Sequence, residues 1–401
     1  MAGNPGERHP RLLVLGAGPA QLGLLEAARD HGIWTAVCDR DPSAPGFELA
    51  GRRCLVSTED EPAIERLAAA LELDGVIAPG TDWPVAIAAR TAEKLGLPHP
   101  LAPATAMLAT NKLRQREALA AGGVPQPRWE AVSGDLPELR APCVVKAPDR
   151  QGQKGLSLVL DDAELADALE LARRTSRSGV ALVEEYVDGP EVTVIGFSSR
   201  GEFVPLAVTD RITAELPAFG VALAHVWLSP HAEAAAEVTR RAVEALGIAD
   251  GPSYTQLRIS AGGPEVIEVA ARLGGGHDAE LVEAVTGIDL NRLALASALG
   301  ESPPADDVAA GYQVRVGGAV TRFLVAPPGL LESVEVPQGL PGIVRTRIYR
   351  EPGFVFTPLR RGSDRAGAVL AVGATRAEAL ARADAAAERI RFVTADAGAL
   401  V

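Results

Sequence analysis

The sequence predicts an α/β domain over roughly the first hundred residues, an α+β region after it, and a small strand-rich region at the end. In the first part, apolar runs typical of buried strands alternate with stretches of helical spacing, which favours a doubly wound parallel sheet. In the middle part, strands flank a polar glycine loop and form hairpins. After a Pro- and Asp-rich break at 303–307, strand patterns continue until a final amphipathic helix over 375–392.

The N-terminal part contains three strand patterns separated by helical patterns. RLLVLGAG predicts a buried strand that enters a tight turn, and the helix after it ends at Gly32, a residue type common at helix ends. The expected order is strand 11–18, helix 21–32, strand 34–39, helix 61–75 and strand 76–80.

The middle of the chain predicts a small lid and then a long hairpin. The order strand, glycine loop, strand, helix, strand describes an α+β unit rather than a βαβ unit. The expected elements are a helix over 111–123, strands over 142–148 and 156–160, a helix over 162–175, strands over 181–187 and 191–197, a hairpin of 254–260 with 264–276, and a helical stretch over 279–300.

The composition argues against several classes of partner. A formal net charge of −13 at pH 7 repels phosphate backbones, so we expect no nucleic-acid partner, although local Lys and Arg clusters can still bind small anions. The three cysteines lack disulfide or metal-ligand spacing, which favours a reducing cytoplasm. No apolar stretch approaches the roughly 20 residues that cross a bilayer, so we expect no membrane partner.

The first turn, GAGPAQLG, partly matches a dinucleotide-binding fingerprint. Gly16 and Gly18 match its first two glycines, and Asp39 lies where a ribose-binding carboxylate is expected, but Gln21 replaces the third glycine. One interpretation is an oxidoreductase that uses NAD or FAD. We favour the other, in which a Rossmann-like turn forms the floor of a substrate cleft and offers N–H groups to a carboxylate.

Features that follow in a fixed order predict a nucleotide site. Lys146 lies on a predicted strand, and the loop after it, residues 149–155, is polar and rich in glycine. A lysine holds phosphate oxygens by charge, while a glycine loop can donate backbone N–H groups to them. LVEEYVDGPE at 182–191 can offer backbone groups to an adenine edge and a carboxylate to ribose hydroxyls.

The predicted hairpin carries oxygen-bearing side chains on both strands, Gln256 on one and Glu268 on the other. Such a pair suits Mg²⁺, which takes carboxylate and amide oxygens together with phosphate oxygens. Arg272 follows four residues after Glu268, within reach of a transferring phosphoryl group. The chain shows no Ser-His-Asp or Cys-His arrangement, and this chemistry requires no protein nucleophile.

On these motifs the chain resembles the ATP-grasp superfamily of carboxylate–amine ligases over nearly its whole length. LVLGAGPAQLGLLEAARDHG resembles the N-terminal domain of biotin carboxylase, and TNKLRQREALAAGG resembles the first ATP-grasp helix, whose lysine is Lys112 here. GAVLAVGATRAEALARADAAAERI is similar to the C-terminal domain of biotin carboxylase-like members and of L-amino acid ligases. The resemblance implies a Rossmann-like domain over 1–108, an ATP-grasp domain over 109–300 with a mobile lid at about 125–188, and a C-terminal domain over 301–401 that completes the ATP-grasp region.

The resemblance also implies roles for individual residues. ATP and Mg²⁺ are the implied cofactors, with Mn²⁺ as an alternative ion, and the implied metal ligands are Gln256 and Glu268. Lys146 and Arg272 are implied to be catalytic, with Arg272 on the reactive phosphate. The implied nucleotide-binding residues are Lys112, Lys146, Gln151, Gly152, Lys154, Gly155, Glu184 and Val187 near adenine, Glu185, and Glu191 near ribose. The candidate substrate residues are Arg211, His225, Gly275, Gly276 and His277.

One position departs from the family pattern. Many members place Asn two residues after the metal-binding Glu, giving E-x-N-x-R, whereas this chain has Ala270 there. The second metal position therefore lacks one side-chain ligand: water replaces it, Glu268 bridges both ions, or one ion binds. E-x-A-x-R before a glycine run is more similar to amino acid ligases of secondary metabolism than to biotin carboxylase.

The implied reaction joins two amino acids through an acyl phosphate, giving a dipeptide or a γ-glutamyl amide with release of ADP and phosphate. The alternatives are an ATP-grasp carboxylase, a purine-pathway ligase, the NAD or FAD oxidoreductase, and a nucleotide-binding module without catalysis. The implied partners are small amino acid substrates and, since relatives of this architecture are commonly dimers, a second copy of the chain.

Overall fold

A computed structural model describes residues 8–395. The N-terminal unit has four strands and three helices: β1 (Arg11–Leu15), α1 (Leu22–Asp30), β2 (Trp34–Asp39), β3 (Arg52–Leu55), α2 (Glu61–Ala70), β4 (Gly75–Ile77) and α3 (Asp82–Leu95). The strands form one sheet in the order β3-β2-β1-β4, and every pairing in it is parallel. The predicted parallel sheet is therefore confirmed, with β3 and α3 as additional elements.

The helix expected over 61–75 ends at Ala70, five residues early. The segment after it is held beside the start of β1, because the Asp74 backbone N–H donates to the Arg11 carbonyl at 2.8 Å. The Asp74 carboxylate in turn accepts from the Arg11 N–H at 2.8 Å. This pairing leads the chain directly into β4 and leaves no room for another helical turn.

Two helices and a separate small sheet follow. Their bounds are α4 (Pro103–Ala109), α5 (Lys112–Ala121), β5 (Trp129–Val132), β6 (Cys143–Lys146), β7 (Leu156–Val159), α6 (Leu165–Thr175) and β8 (Ala181–Glu185). The strands pair antiparallel in the order β5-β8-β6-β7, and α6 buries one face against them, which gives this unit its own apolar core. We call residues 129–185 the lid. From β6 onward its order of strand, loop, strand, helix, strand is as predicted, and β5 is an additional strand.

The remaining elements build a large sheet. They are β9 (Glu191–Ser199), β10 (Glu202–Thr213), β11 (Ala222–Trp227), α7 (Ala232–Ala245), β12 (Gly251–Ser260), β13 (Gly263–Ala270), α8 (Asp278–Thr286), α9 (Leu290–Ala298), α10 (Ala305–Ala310), β14 (Gly318–Leu324), β15 (Gly329–Glu335), β16 (Ile343–Ile348), β17 (Val355–Phe356), β18 (Gly367–Gly373), α11 (Arg376–Arg389) and β19 (Arg391–Ala395). Eight strands pair antiparallel in the order β13-β12-β9-β10-β11-β14-β18-β16, and β17-β15-β19 form a third small sheet.

The large sheet includes strands from the middle and from the end of the chain. Strands β14, β18 and β16 lie beyond residue 300 and continue the sheet that begins with the β12–β13 hairpin. One apolar core likewise includes Leu12 of β1, Leu281 of α8 and Leu370 of β18. The boundary near residue 300 stays a prediction, and the C-terminal segment packs as part of the same body.

The helical stretch expected over 279–300 consists of two helices, α8 and α9, because Gly287 takes a left-handed φ of 79° between them. No helix among the described residues is both long enough and apolar enough to cross a membrane.

Candidate active site

A cavity lies between the lid, the β12–β13 hairpin and the start of α3. Thirteen of the residues predicted from sequence line it: Lys112, Lys146, Gln151, Gly152, Lys154, Glu184, Glu185, Val187, Glu191, Arg211, Gln256, Glu268 and Arg272. Five predicted residues lie outside its lining: Gly155, His225, Gly275, Gly276 and His277. The structure thus gathers the nucleotide and metal candidates at one cavity and places most of the substrate candidates elsewhere.

Two of the three lysines that line the cavity, Lys112 and Lys146, are held by carboxylates. The Lys112 ammonium lies 2.7 Å from Glu268 and also donates to the Arg150 carbonyl at 2.8 Å, while Lys146 lies 2.6 Å from Glu184. Burial opposes the charge of Lys112, but Glu268, Asp82 and Glu184 together outweigh it and raise the pKa of Lys112. Burial lowers the pKa of Lys146, and Glu184 offsets that effect only in part. The cavity therefore keeps two cations in place before any phosphate arrives.

Arg116 binds Glu184, the carboxylate that holds Lys146, and it was not predicted from the sequence. It lies on α5 with only 1% of its surface exposed. Its guanidinium donates to Glu184 at 2.8 Å and to the carbonyls of Val266 and Ile267 at 2.7 and 2.6 Å. Burial alone would raise the pKa of Glu184, but Arg116 and Lys146 hold it below its ordinary value. Arg116 thereby connects the lid strand β8 to the hairpin strand β13.

Gln256 and Glu268 lie directly opposite each other on β12 and β13, as predicted. The described residues contain no cluster of three or more His, Cys, Asp or Glu side chains suited to a metal ion. Two side-chain oxygens are fewer than Mg²⁺ requires, so this pair fits an ion whose other ligands are phosphate oxygens and water. Ala270, at the departing position, is buried and offers no ligand.

The start of α3 contacts both the hairpin and the glycine loop. Arg272 pairs with the Asp82 carboxylate at 2.5 Å and donates to the Leu273 carbonyl at 2.7 Å. The Asp82 backbone N–H donates to the Gln151 side chain at 2.5 Å. Gly155 closes the same loop, because its carbonyl accepts from the Ala147 N–H at 3.0 Å and its φ of 70° is left-handed.

The turn GAGPAQLG is held by the carboxylate of Asp39 at the end of β2. Asp39 accepts from the Ala17 N–H at 2.9 Å, so the group expected to hold a ribose holds the turn itself. Gln21 is buried against the turn, and a Cβ on Gly16 would come within 2.9 Å of its side chain. This geometry supports a structural role for GAGPAQLG and gives no support to the oxidoreductase alternative.

The glycine run after Arg272 makes room for a buried pair, His225 and Asp278. Their side chains meet at 2.6 Å between Nδ1 and Oδ1, and both are almost fully buried. A Cβ on Gly274 would approach Asp278 within 2.0 Å, and one on Gly276 would approach His225 within 2.6 Å. The run is therefore glycine-rich for steric reasons, whereas Gly275 faces Ala20 of the opening turn at ordinary contact distance.

His277 belongs to a second buried network. Its Nε2 lies 2.6 Å from the Tyr349 hydroxyl and its Nδ1 lies 3.4 Å from Glu280. Burial alone would raise the pKa of Glu280, but His277 and Arg347 lower it to about 2. Arg347 also binds Glu26 of α1 at 2.7 Å. His277 thus lies in a network that ties the C-terminal region to α1 of the N-terminal unit.

Comparisons with known proteins agree with this geometry. The family described as ATP-grasp domain matches residues 139–280, and the family described as L-amino acid ligase C-terminal domain 2 matches residues 322–395. Residues 139–280 therefore form an ATP-grasp domain, as the motifs predicted. The chain is an ATP-grasp-type enzyme that forms C–N bonds, which confirms the predicted enzyme class.

Several known proteins are similar to this chain over most of its length. The crystal structure of L-amino acid ligase from Bacillus licheniformis matches with a TM-score of 0.82 at 24% identity, covering 97% of this chain and all of that one. Formate-dependent phosphoribosylglycinamide formyltransferase of Burkholderia lata is 27% identical over 96% of both chains. Mouse carnosine synthase 1 is 26% identical over 78% of this chain but only 43% of its own length, so this chain corresponds to less than half of that synthase. The predicted fold, an ATP-grasp region between a parallel sheet and a strand-rich end, is confirmed.

Proposed function

We propose that this ATP-grasp ligase joins two amino acids through an acyl phosphate, giving a dipeptide or a γ-glutamyl amide in secondary metabolism. The observation that supports this most is the convergence of three cationic side chains and two oxygen ligands on one cavity: Lys112, Lys146, Arg272, Gln256 and Glu268. The match to the C-terminal domain of L-amino acid ligases supports amino acids as substrates. The expected homodimer and cytoplasmic location stay predictions.

The cavity residues divide by the part of ATP that they suit. Lys112 and Lys146 would hold phosphate oxygens, and the loop would cover them with Gln151, Gly152, Lys154 and Gly155. Glu184, Glu185 and Val187 would border the adenine, and Glu191 the ribose. Gln256 and Glu268 would hold Mg²⁺, which when bound neutralises phosphate charge. Lid contacts such as that of Gln151 with Asp82 would exclude water from the acyl phosphate.

The reaction needs two bond exchanges and one proton acceptor. A carboxylate oxygen of the first substrate bonds to the γ-phosphorus as the bond to ADP breaks, and Arg272 stabilises the charge that spreads over the phosphoryl oxygens. The amine of the second substrate then attacks the acyl carbon and phosphate leaves. His225 has an unpaired Nε2, with Asp278 fixing the opposite nitrogen, so we assign the amine proton to it.

A screen of amino acid pairs tests the proposal. The purified ligase is incubated with MgATP and each pair of amino acids, phosphate release is followed, and products are identified by mass. At least one pair should release one phosphate for each molecule of product formed. The mass of that product should equal the summed mass of the two amino acids minus one water. A protein that releases ADP and phosphate without any such product, under every pair, would contradict amino acid ligation.

Replacing Glu268 with Gln should raise the Mg²⁺ concentration needed for half-maximal nucleotide binding by about tenfold or more, because the variant loses the charged ligand of the pair. Titration of Mg²⁺ at fixed ADP, followed by calorimetry, measures this. Glu265→Gln is the matched control, since Glu265 lies on the same strand outside the cavity lining. An unchanged Mg²⁺ midpoint in Glu268→Gln would remove Glu268 from the metal site.

A further inference from the structure

One face of the eight-stranded sheet continues past the nucleotide cavity. Strand pairing places Glu268 opposite Gln256, and Gln256 opposite Thr193. The same face continues through Arg211 on β10 to His225 on β11, which are direct partners. His225 is in turn opposite Thr321 on β14, and Phe323 follows two residues later on that face. The side chains beyond Arg211 therefore lie beside the nucleotide cavity, on strands contributed partly by the C-terminal region.

This face buries several polar atoms that have no hydrogen-bond partner among the described residues. They are Thr209 Oγ1, Arg211 Nε, His225 Nε2 and Thr321 Oγ1. Buried polar groups in proteins are nearly always paired, and leaving one unpaired is costly. Four such atoms on one face, next to the cavity, indicate that a polar molecule completes their hydrogen bonds.

Arg365 packs against the same face of the sheet. Its guanidinium carbon lies 3.7 Å from the centroid of the Phe323 ring, and His225 meets the same ring edge-on at 5.5 Å. Its Nε donates to the Gly362 carbonyl at 2.8 Å, and within residues 8–395 its two terminal nitrogens have no hydrogen-bond or ion-pair partner. The nearby carboxylate of Asp278 is already bound to His225. Arg365 is therefore a fixed, partly buried cation without a counter-ion.

The position of Arg365 links it to the reaction site. The Gly362 N–H, on the same short turn as Arg365, donates to Gln153 of the glycine loop at 3.2 Å. Its charge also interacts with those of Arg211 and Asp278, which lie on or against the described face. A planar guanidinium whose two terminal NH2 groups are free matches a carboxylate, which it can bind through two parallel hydrogen bonds.

We propose that Arg365 binds the carboxylate of the amine-donating substrate, so that this ligase selects amines that carry a carboxylate over simple amines. This inference rests on the proposed ligase function and specifies its second substrate. The substrate would lie along the sheet face between Arg365 and Arg211, with its polar groups meeting the unpaired atoms of Thr209, His225 and Thr321.

Ligand-dependent thermal shift tests this without requiring turnover. The ligase is saturated with MgADP, and its melting temperature is recorded with each proteinogenic amino acid and with the amide of every amino acid that raises it. We expect at least one amino acid to stabilise the wild type and its amide to bind at least about tenfold more weakly, as the loss of a charge-assisted pair predicts. Arg365→Met should lose the stabilisation by that amino acid and keep the stabilisation by MgADP.

Arg53→Met is a matched control, because Arg53 also stacks on an aromatic ring, at 4.9 Å from the Phe47 centroid, but lies on β3 of the N-terminal sheet. It should retain both stabilisations, and Arg365→Lys should retain part of the amino acid effect because it keeps the charge. The inference is overturned if no amino acid stabilises the wild type, if the amide binds equally well, or if Arg365→Met keeps the amino acid effect or loses the MgADP effect. Failure of the proposed function is separate: it appears as binding without any ligated product.

Discussion

Replacing Arg272 with Ala is expected to lower the rate of ATP-dependent phosphate release by about a thousandfold. A cation placed on a transferring phosphoryl group stabilises charge that is greatest in the transition state, and removing such a group costs on the order of 10³ in rate. Arg272 is oriented for this by Asp82 at 2.5 Å and by the Leu273 carbonyl. The measurement is phosphate release at saturating substrates, with MgADP affinity determined in parallel.

The affinity measurement separates loss of chemistry from loss of the site. MgADP should bind the Arg272→Ala variant nearly as well as the wild type, because ADP lacks the phosphate that Arg272 is proposed to contact. Arg292→Ala serves as a control, since Arg292 is exposed on α9 and is not part of the lining of the cavity. A variant at Arg272 that retains a tenth or more of the wild-type rate would place the transferring phosphate elsewhere.

The largest expected effect on stability comes from Arg116. Arg116→Ala should lower the free energy of unfolding by about 3–5 kcal/mol, because it leaves the buried Glu184 with Lys146 as its remaining cation and frees the carbonyls of Val266 and Ile267. Urea unfolding followed by circular dichroism measures the change.

Arg114→Ala on the same helix is the matched control for Arg116. Arg114 is exposed, so its removal should change stability by no more than about 0.5 kcal/mol. If Arg116→Ala unfolds within about 1 kcal/mol of the control, the network around Glu184 does not hold the lid to the hairpin as described.

Local sequence carried most of the information about the cavity. Lys146, the loop after it and the pair Gln256 and Glu268 were predictable because each belongs to a strand or turn whose residues are contiguous. Arg116 was not, since a charged residue in the polar helix KLRQREALAA gives no sign that it faces inward. Its burial depends on carbonyls 150 and 151 residues away, which a local pattern cannot reveal.

The glycine run shows what a local pattern does not reveal. Gly276 and His277 are candidate substrate residues from the sequence, and both lie outside the cavity lining. The structure gives Gly276 a steric role beside His225 and gives His277 a role in the network around Tyr349 and Glu280. The packing of β11 and α8 against this segment determines what each residue contacts, and the sequence pattern carries no sign of it.

The carboxylates that hold Lys112 and Lys146 also bear on how readily ADP would leave the proposed nucleotide site. A phosphate that enters the cavity must take each lysine from Glu268 or Glu184, and when it leaves, the carboxylate is there to take the lysine back. On the proposed function, nucleotide binding is an exchange of ion pairs, and its free energy is the difference between two sets of similar contacts. A site that works by such an exchange can hold a highly charged nucleotide in position during the reaction. It does so without binding ADP so tightly that ADP release limits turnover.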